Sequence, residues 1–106
     1  MSKLKEYKMF IGGEWVDSES KKTFETLNPE NNKPWAKVPE ANAKDVDKAV
    51  KAAQKAFEGE WSKLLPRDRA KFLRAIGQKL RDNAKLLGEI ETIDTGKLFR
   101  ETNKQA

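Results

Sequence analysis

The first forty residues show the short alternating pattern of β-strands. Apolar residues in the stretches 9–11 and 14–16 flank Gly12-Gly13. Because glycines adopt the positive φ angles of a two-residue hairpin loop, this pattern predicts a tight β-hairpin. Residues 23–27, with β-branched and aromatic side chains in partial alternation, predict a further strand that ends at the Asn28-Pro29 turn.

A fourth strand is predicted over residues 34–39, between two prolines. Proline has no N–H to donate to a neighbouring strand, so prolines in sheets occur mainly at edges. The positions of Pro34 and Pro39 therefore predict that this strand lies at the edge of its sheet.

From Asn42 onward the spacing of apolar residues becomes helical. Asn42 is predicted to cap the first helix, with Asp45 near the positive end of the helix dipole. Gly59 is predicted to end this helix. Its apolar stripe has the i, i+4, i+7, i+11 spacing of one helical face: Val46, Val50, Ala53 and Phe57.

Two more helices are predicted after a linker that contains Trp61. Pro66 suits the first turn of the second helix, and Asn83 is predicted to cap the third. Gly96 is predicted to close the third helix in the left-handed conformation. The apolar face of the second helix comprises Phe72, Leu73, Ile76 and Leu80. The third helix is predicted to bury Leu86, Leu87, Ile90 and Ile93. No element is predicted after Leu98.

Composition indicates one small domain with a lean core. The chain has 106 residues, of which 37% are hydrophobic and 37% charged, so it suits a chain that rests on something larger. The net charge of +5 favours a lysine-rich solvated surface over a nucleic-acid partner. Zero cysteines exclude disulfides and fit a reducing cytoplasm, and no membrane span or signal peptide is expected.

Several residues invite a chemical role that their context makes weak. Gly12-Gly13 opens no helix and lacks the spacing of a phosphate loop, and Gly96-Lys97 lies at a helix end. Arg69 falls on the apolar face of the second helix, where an ion pair or a snorkelling side chain is favoured over an anion site. Glu91 and Asp94 lie three residues apart on a helix with Glu89 close by, but the two glutamates are interpreted as solvated helix charges rather than as acid–base groups.

Four strings in order carry a family resemblance. They are FIGGEWV at residues 10–16, TFETLNP at 23–29, DVDKAVKAA at 45–53 and ETIDTGK at 91–97. From about Tyr7 to its end, the chain resembles the N-terminal segment of the aldehyde dehydrogenase superfamily.

The resemblance implies an α/β fold in which residues 1–106 form the N-terminal portion of the coenzyme-binding domain. Residues 1–41 would supply short strands and turns, and residues 42–106 about three helices, without the Rossmann-like parallel sheet. Enzymes of this family oxidise an aldehyde to a carboxylic acid with NAD⁺ or NADP⁺, through a cysteine nucleophile and a glutamate-activated water. None of those catalytic or coenzyme-binding residues is present here, so the segment itself is expected to be inactive.

The resemblance also implies a monovalent cation, K⁺ or Na⁺, held partly by backbone carbonyls of Thr26, Leu27 and Asp94. Oxygen ligands suit such hard cations. The alternative is that Asp94, on the apolar side of its helix, caps backbone N–H groups or pairs with a basic residue. A homo-oligomer, dimer or tetramer, is expected in the cytoplasm, with no nucleic-acid or membrane partner.

Three hypotheses follow. The chain is the N-terminal segment of an aldehyde dehydrogenase, or a stand-alone interaction module derived from that segment that binds protein through its open apolar faces. The third is a small basic nucleic-acid binder, which rests on charge alone.

Overall fold

A computed structural model of the protein describes residues 4–105, in which five strands precede five helices. The strands are β1 (Lys5–Glu6), β2 (Met9–Ile11), β3 (Glu14–Val16), β4 (Thr23–Asn28) and β5 (Lys33–Pro39). The helices are α1 (Ala43–Glu58), α2 (Glu60–Lys63), α3 (Pro66–Asp82), α4 (Ala84–Thr95) and α5 (Phe99–Gln105). This confirms the predicted α/β class and the three long helices. Strand β1 and the short helices α2 and α5 were not predicted from the sequence.

The predicted hairpin is confirmed. Strands β2 and β3 pair in antiparallel register, with Phe10 opposite Trp15 and the two rings 4.8 Å apart. Gly12 and Gly13 have φ angles of 62° and 83°, so both loop positions need the conformational freedom of glycine.

The prediction that residues 34–39 form an edge strand is wrong. The sheet order is β1-β5-β4, so β5 lies between two strands. Strand β1 runs parallel to β5 and pairs only opposite Ala36 and Lys37, and the Tyr7 N–H donates to the Lys37 carbonyl at 3.0 Å. Because this pairing is so short, neither Pro34 nor Pro39 has to donate a hydrogen bond to β1.

Helix α1 begins with the predicted cap. The Asn42 side-chain oxygen accepts the N–H groups of Lys44 at 2.9 Å and Asp45 at 3.1 Å. The Asp45 carboxylate accepts the Asn42 N–H at 2.9 Å, which completes a capping box. Helix α1 ends at Gly59, as predicted.

The prediction that the Asn83 side chain caps the start of α4 is wrong, because that side chain bonds the end of α3. Asn83 makes no side-chain bond to the first N–H groups of α4; its side-chain amide instead donates to the Lys79 carbonyl at 2.9 Å. With φ of −112° and ψ of 14°, Asn83 continues the turn of α3, so its side chain reaches back to that helix. The predictions for Pro66, at the start of α3, and Gly96, with φ of 78°, are confirmed.

The apolar stripes of the helices are largely open to solvent. Among the residues whose burial is described, 4–102, Ala36 is the buried hydrophobic residue. Phe57 on α1 is 68% exposed. The prediction that α4 buries its stripe is wrong for Leu86, which is 51% exposed, and for Leu87 and Ile93, because residues 4–102 supply too little apolar surface to cover it. No described helix has the length and apolarity to cross a membrane.

The chain divides into two compact units. Unit 1 contains residues up to Thr26 and Pro34–Lys63, and therefore most of the strands with α1 and α2. Unit 2 contains Leu27–Lys33 and the chain from Leu64 onward, and therefore α3, α4 and α5.

Candidate functional site

The candidate site is a cleft in unit 2, between the turn after β4 and the end of α4. It has a volume of about 480 Å³. Its walls come from the Asn28-Pro29 string and from the α4 end with Gly96, two of the strings that carried the family resemblance. The lining residues are Asn28, Pro29, Glu30, Thr92, Ile93, Gly96, Lys97, Leu98 and Phe99.

The turn that forms one wall is fixed by its own hydrogen bonds. The Asn28 side-chain oxygen accepts the Glu30 N–H at 3.0 Å, and its carbonyl accepts the Asn32 N–H at 2.7 Å. The Asn31 side chain accepts the Lys33 N–H at 3.0 Å. Asparagine suits these positions because its side chain bonds the backbone two residues on. The turn therefore holds Pro29 in a defined position at the cleft.

Gly96 forms the opposite wall, where only glycine fits well. Its N–H donates to the Thr92 carbonyl at 2.9 Å, and its φ of 78° is left-handed. A Cβ atom at this position would lie 3.3 Å from the Pro29 Cγ and 3.7 Å from its Cβ. Glycine thus satisfies both the backbone conformation and the close approach of the proline ring.

The charge of Lys97 at the cleft is already paired. Its Nζ lies 3.6 Å from the Glu91 Oε1, and both side chains are partly exposed, so the pair adds little stability. The Thr95 hydroxyl donates to the Glu91 carbonyl at 2.7 Å and accepts the Lys97 N–H at 3.3 Å. This helix-end arrangement agrees with the rejection of Gly96-Lys97 as a phosphate loop.

A hydrogen bond between two threonines joins α5 to α4 beside the cleft. The buried Thr102 hydroxyl donates to the Phe99 carbonyl at 3.1 Å. A hydroxyl has one hydrogen, so Thr92 donates the 2.9 Å bond between the two hydroxyl oxygens. This contact could not be predicted from the sequence, since polar threonines ten residues apart give no periodic signal.

The predicted cation ligands fall around the cleft and in the neighbouring strand. Leu27 directly precedes the lining residue Asn28, and Asp94 is exposed two residues before Gly96. Both belong to unit 2, whereas Thr26, half-buried in β4, belongs to unit 1. Over the described residues, no three His, Cys, Asp or Glu side chains cluster as a metal site. An ion here would need carbonyl or hydroxyl oxygens besides Asp94, so the ligand set stays a prediction.

Arg69 has a structural role, as favoured from the sequence. Its Nη1 donates to the Leu64 carbonyl at 2.6 Å, just before α3 begins. Arg69 is half-buried, and its guanidinium satisfies a backbone acceptor.

The starts of the two longest described helices, α1 and α3, do not fit the pyrophosphate of a dinucleotide. Such a site needs free N–H groups at a helix N-terminus that follows a glycine-rich loop. In α1 the first N–H groups bond to Asn42, and the Asp45 carboxylate adds negative charge there. Helix α3 starts with Pro66, which has no N–H, and carries Asp68 in its first turn. No step of coenzyme chemistry can therefore be assigned to the starts of α1 and α3.

Comparisons with known proteins agree with the four strings. The aldehyde dehydrogenase family model matches residues 15–106. An aldehyde dehydrogenase from Aspergillus niger is 47% identical over 89 residues, which are 84% of this chain and 18% of that protein. Cytosolic 10-formyltetrahydrofolate dehydrogenase from Xenopus tropicalis is 39% identical over 94 residues, which are 88% of this chain and 10% of that protein.

The fold also has a solved counterpart. Betaine aldehyde dehydrogenase from Staphylococcus aureus, in complex with NAD⁺, matches 92% of this chain at 39% identity and a TM-score of 0.88, and the match covers 20% of that enzyme's chain. The chain thus spans a fifth or less of the length of these relatives. On the agreement of sequence and backbone, the chain belongs to the aldehyde dehydrogenase family.

Proposed function

We propose that this chain is the N-terminal scaffold of the coenzyme-binding domain of an enzyme that oxidises an aldehyde to a carboxylic acid with NAD⁺ or NADP⁺. The observation that supports this most is the backbone match to one fifth of an NAD⁺-bound aldehyde dehydrogenase. In this role the chain supplies strands, a fixed turn and amphipathic helices, and the coenzyme and substrate sites lie in other parts of the enzyme.

The chain by itself is proposed to be inactive. Aldehyde oxidation in this family needs a thiol nucleophile, and the sequence has no cysteine and no histidine. The poor fit of the α1 and α3 starts to a pyrophosphate supports the same view. We expect the purified chain to produce no NADH from an aldehyde and NAD⁺.

The proposal extends to an ion, an assembly and a compartment. We propose that Thr26, Leu27 and Asp94 contribute oxygen ligands to K⁺ or Na⁺ in the complete enzyme, since Leu27 and Asp94 adjoin the same cleft. The enzyme is proposed to form a homo-oligomer, a dimer or tetramer. The absence of cysteine and a relative named as cytosolic support a cytoplasmic enzyme.

A chimera tests the proposed role. The matching fifth of the S. aureus betaine aldehyde dehydrogenase is replaced by this chain, and NADH production is followed with betaine aldehyde. If the segment is an equivalent scaffold, the chimera keeps kcat/KM within about tenfold of the parent enzyme. A chimera that folds, binds NAD⁺ and yet is inactive would overturn the proposal.

A stand-alone interaction module is the second candidate, and the open apolar stripes favour it. Two measurements separate the candidates. If the chain is a module built for a foreign protein, the chimera is inactive or unfolded. Light scattering would then show that the free chain associates with its partner. A strictly monomeric and stably folded 12.1 kDa chain would contradict the module.

A further inference from the structure

The positive charge of the chain is concentrated on one side of α3. This helix holds six basic and two acidic side chains, so it carries four of the five net positive charges of the chain. Four of its basic residues, here termed the basic row, are exposed: Arg67, Lys71, Arg74 and Arg81. With about 100° of rotation per residue, they fall within about 40° of one line along the helix, on the side opposite the apolar stripe.

The three arginines of the basic row repeat every seven residues. At about 1.5 Å of rise per residue, neighbouring arginines are about 10.5 Å apart along the axis. Within the described part of the chain, none of the three guanidinium groups forms an ion pair. Arg74 Nε donates to the Ala70 carbonyl at 3.5 Å, and Arg81 Nη2 donates to the Gln78 Oε1 at 3.2 Å. Because a guanidinium has five N–H donors, most of them remain available to a partner.

Two acidic residues beside the basic row define which anion fits it. Asp68 Oδ1 lies 3.7 Å from Lys71 Nζ near one end, and Asp82 Oδ1 accepts the Gln78 Nε2 at 2.8 Å near the other. A continuous phosphate chain laid along the row would bring like charge against both carboxylates, whereas separate carboxylates can avoid them. The planar fork of a guanidinium matches a carboxylate with two parallel hydrogen bonds. The row therefore favours spaced carboxylates over a nucleic acid.

We propose that the basic row of α3 is a docking surface for an acidic α-helix of a partner protein, with carboxylates at seven-residue intervals that face the three arginines. Helices that lie side by side have the same rise per residue, so equal spacing places each carboxylate opposite one guanidinium. No helix within the described residues has three acidic side chains at this spacing, so a second copy of this chain does not supply the match. The inference goes beyond the proposed function and does not depend on it, because the row lies opposite the apolar stripe.

The test is binding of the full chain to a synthetic alanine- and glutamine-based helical peptide with glutamate at every seventh position, followed by fluorescence anisotropy at low salt. Four surface charge contacts are expected to give a Kd of about 1 mM or tighter. Salt at about 0.15 M should weaken binding severalfold, because the contacts are exposed. The control is a peptide of the same composition with glutamates five residues apart. Its carboxylates are spread around the helix, so it should bind at least about threefold more weakly.

Substitutions on α3 locate the contact. Arg74→Ala is expected to weaken binding by about threefold to fivefold, and Gln78→Lys, which fills a gap in the basic row, should tighten it by about twofold. Lys79→Ala removes the same charge as Arg74→Ala, but about 120° around the helix from Arg67, and should leave affinity unchanged. All three positions are exposed, so the far-UV circular dichroism of the variants should match that of the parent chain.

Several outcomes would overturn the proposal. Equal losses in Arg74→Ala and Lys79→Ala would show an effect of net charge alone, and equal binding of the two peptides would refute the seven-residue match. Tighter binding of the chain to a duplex oligonucleotide or to phosphatidylserine vesicles than to the peptide would make a nucleic acid or a membrane the occupant instead. Each of these results leaves the proposed function standing, since the activity of the chimera tests that function separately.

Discussion

The start of α1 in unit 1 and the groove between α3 and α4 in unit 2 differ in how their interior-facing groups are covered. The groove is lined by Phe72, Ile76, Leu80, Leu86 and Leu87. In unit 1 the Asp45 carboxylate is 3% exposed and accepts the N–H groups of Glu19 and Asn42, each at 2.9 Å. The buried Ser18 hydroxyl donates to the Lys22 carbonyl at 3.1 Å. In unit 2 the corresponding interior surface is apolar and stays open. The polar interior is complete within this chain, and the apolar interior is not.

The difference follows from the cost of leaving each kind of group unpaired. A buried polar atom without a partner costs about 1–3 kcal/mol, so it must be satisfied as soon as it is buried. Throughout the described residues, no buried side-chain nitrogen or oxygen lacks a hydrogen-bond partner. Apolar surface carries no such requirement while it remains in water, so its covering can be left to another part of the polypeptide.

The largest effect is expected at the polar interior of unit 1. Asp45→Ala removes the acceptor for two backbone N–H groups and is expected to lower the free energy of unfolding of the chain by about 2–3 kcal/mol. Urea denaturation followed by circular dichroism measures this. Asp47→Ala is the control on the same helix: its exposed pair with Lys51, at 2.9 Å, is worth less than about 0.5 kcal/mol. Equal effects of the two substitutions would contradict the comparison.

A matched pair of glycines tests whether unit 2 has a tightly fitted part of its own. Gly13 and Gly96 both have positive φ, but a Cβ meets no atom within 4 Å at Gly13 and meets Pro29 at 3.3 Å at Gly96. Gly13→Ala should cost about 1 kcal/mol from backbone strain, and Gly96→Ala about 2 kcal/mol because the proline must also move. Thermal melts of both variants give the difference, and a larger loss for Gly13→Ala would refute the close fit.

The proposed K⁺ or Na⁺ site beside the Pro29–Gly96 cleft is tested in the chimera, where the rest of the enzyme is present. In the active chimera, replacing K⁺ and Na⁺ by tetramethylammonium at constant ionic strength should lower stability by about 1 kcal/mol if the ion is present at several times its dissociation constant. Asp94→Ala should abolish this dependence, while Glu89→Ala, an exposed carboxylate on the same helix, should keep it. If the melting temperature of the unmodified chimera is the same with and without K⁺ or Na⁺, Thr26, Leu27 and Asp94 are not cation ligands.

The smallest effect in the free chain is expected in the groove. Leu80 is 47% exposed, so Leu80→Ala should change the stability of the free chain by less than about 0.5 kcal/mol. In the chimera, where the groove is expected to be covered, the same substitution should cost about 2–5 kcal/mol. A cost that is the same in both settings would mean that the groove is never filled.

The elements that sequence analysis predicted correctly depend on neighbours in the chain. The hairpin glycines, the Asn42 cap and the left-handed Gly96 are all fixed within a few residues. The same is true of the family strings, because both walls of the cleft are short local motifs. The roles of Thr26, Leu27 and Asp94 as ion ligands stay a prediction.

The features that were not predicted correctly depend on partners that are distant in sequence. Strand β5 is central because the charged pair Lys5–Glu6, about thirty residues earlier, adds a strand that no apolar pattern announced. Helix α5 forms where its buried Thr102 reaches Thr92 on α4. The α4 stripe was predicted to be buried from its spacing alone, and spacing does not specify whether the covering surface belongs to the same 106 residues.

The open groove also has a consequence for synthesis. If this segment leads a chain about five times its length, which is the length ratio to the S. aureus enzyme, then at 5–20 residues per second it leaves the ribosome tens of seconds before the rest of the chain is made. The hydrogen bonds that cap α1 can form during that interval, whereas the side chains of Phe72, Ile76 and Leu80 remain exposed to water. The exposed apolar stripes of α1 and α3 are therefore the parts of the nascent chain that a chaperone would recognise.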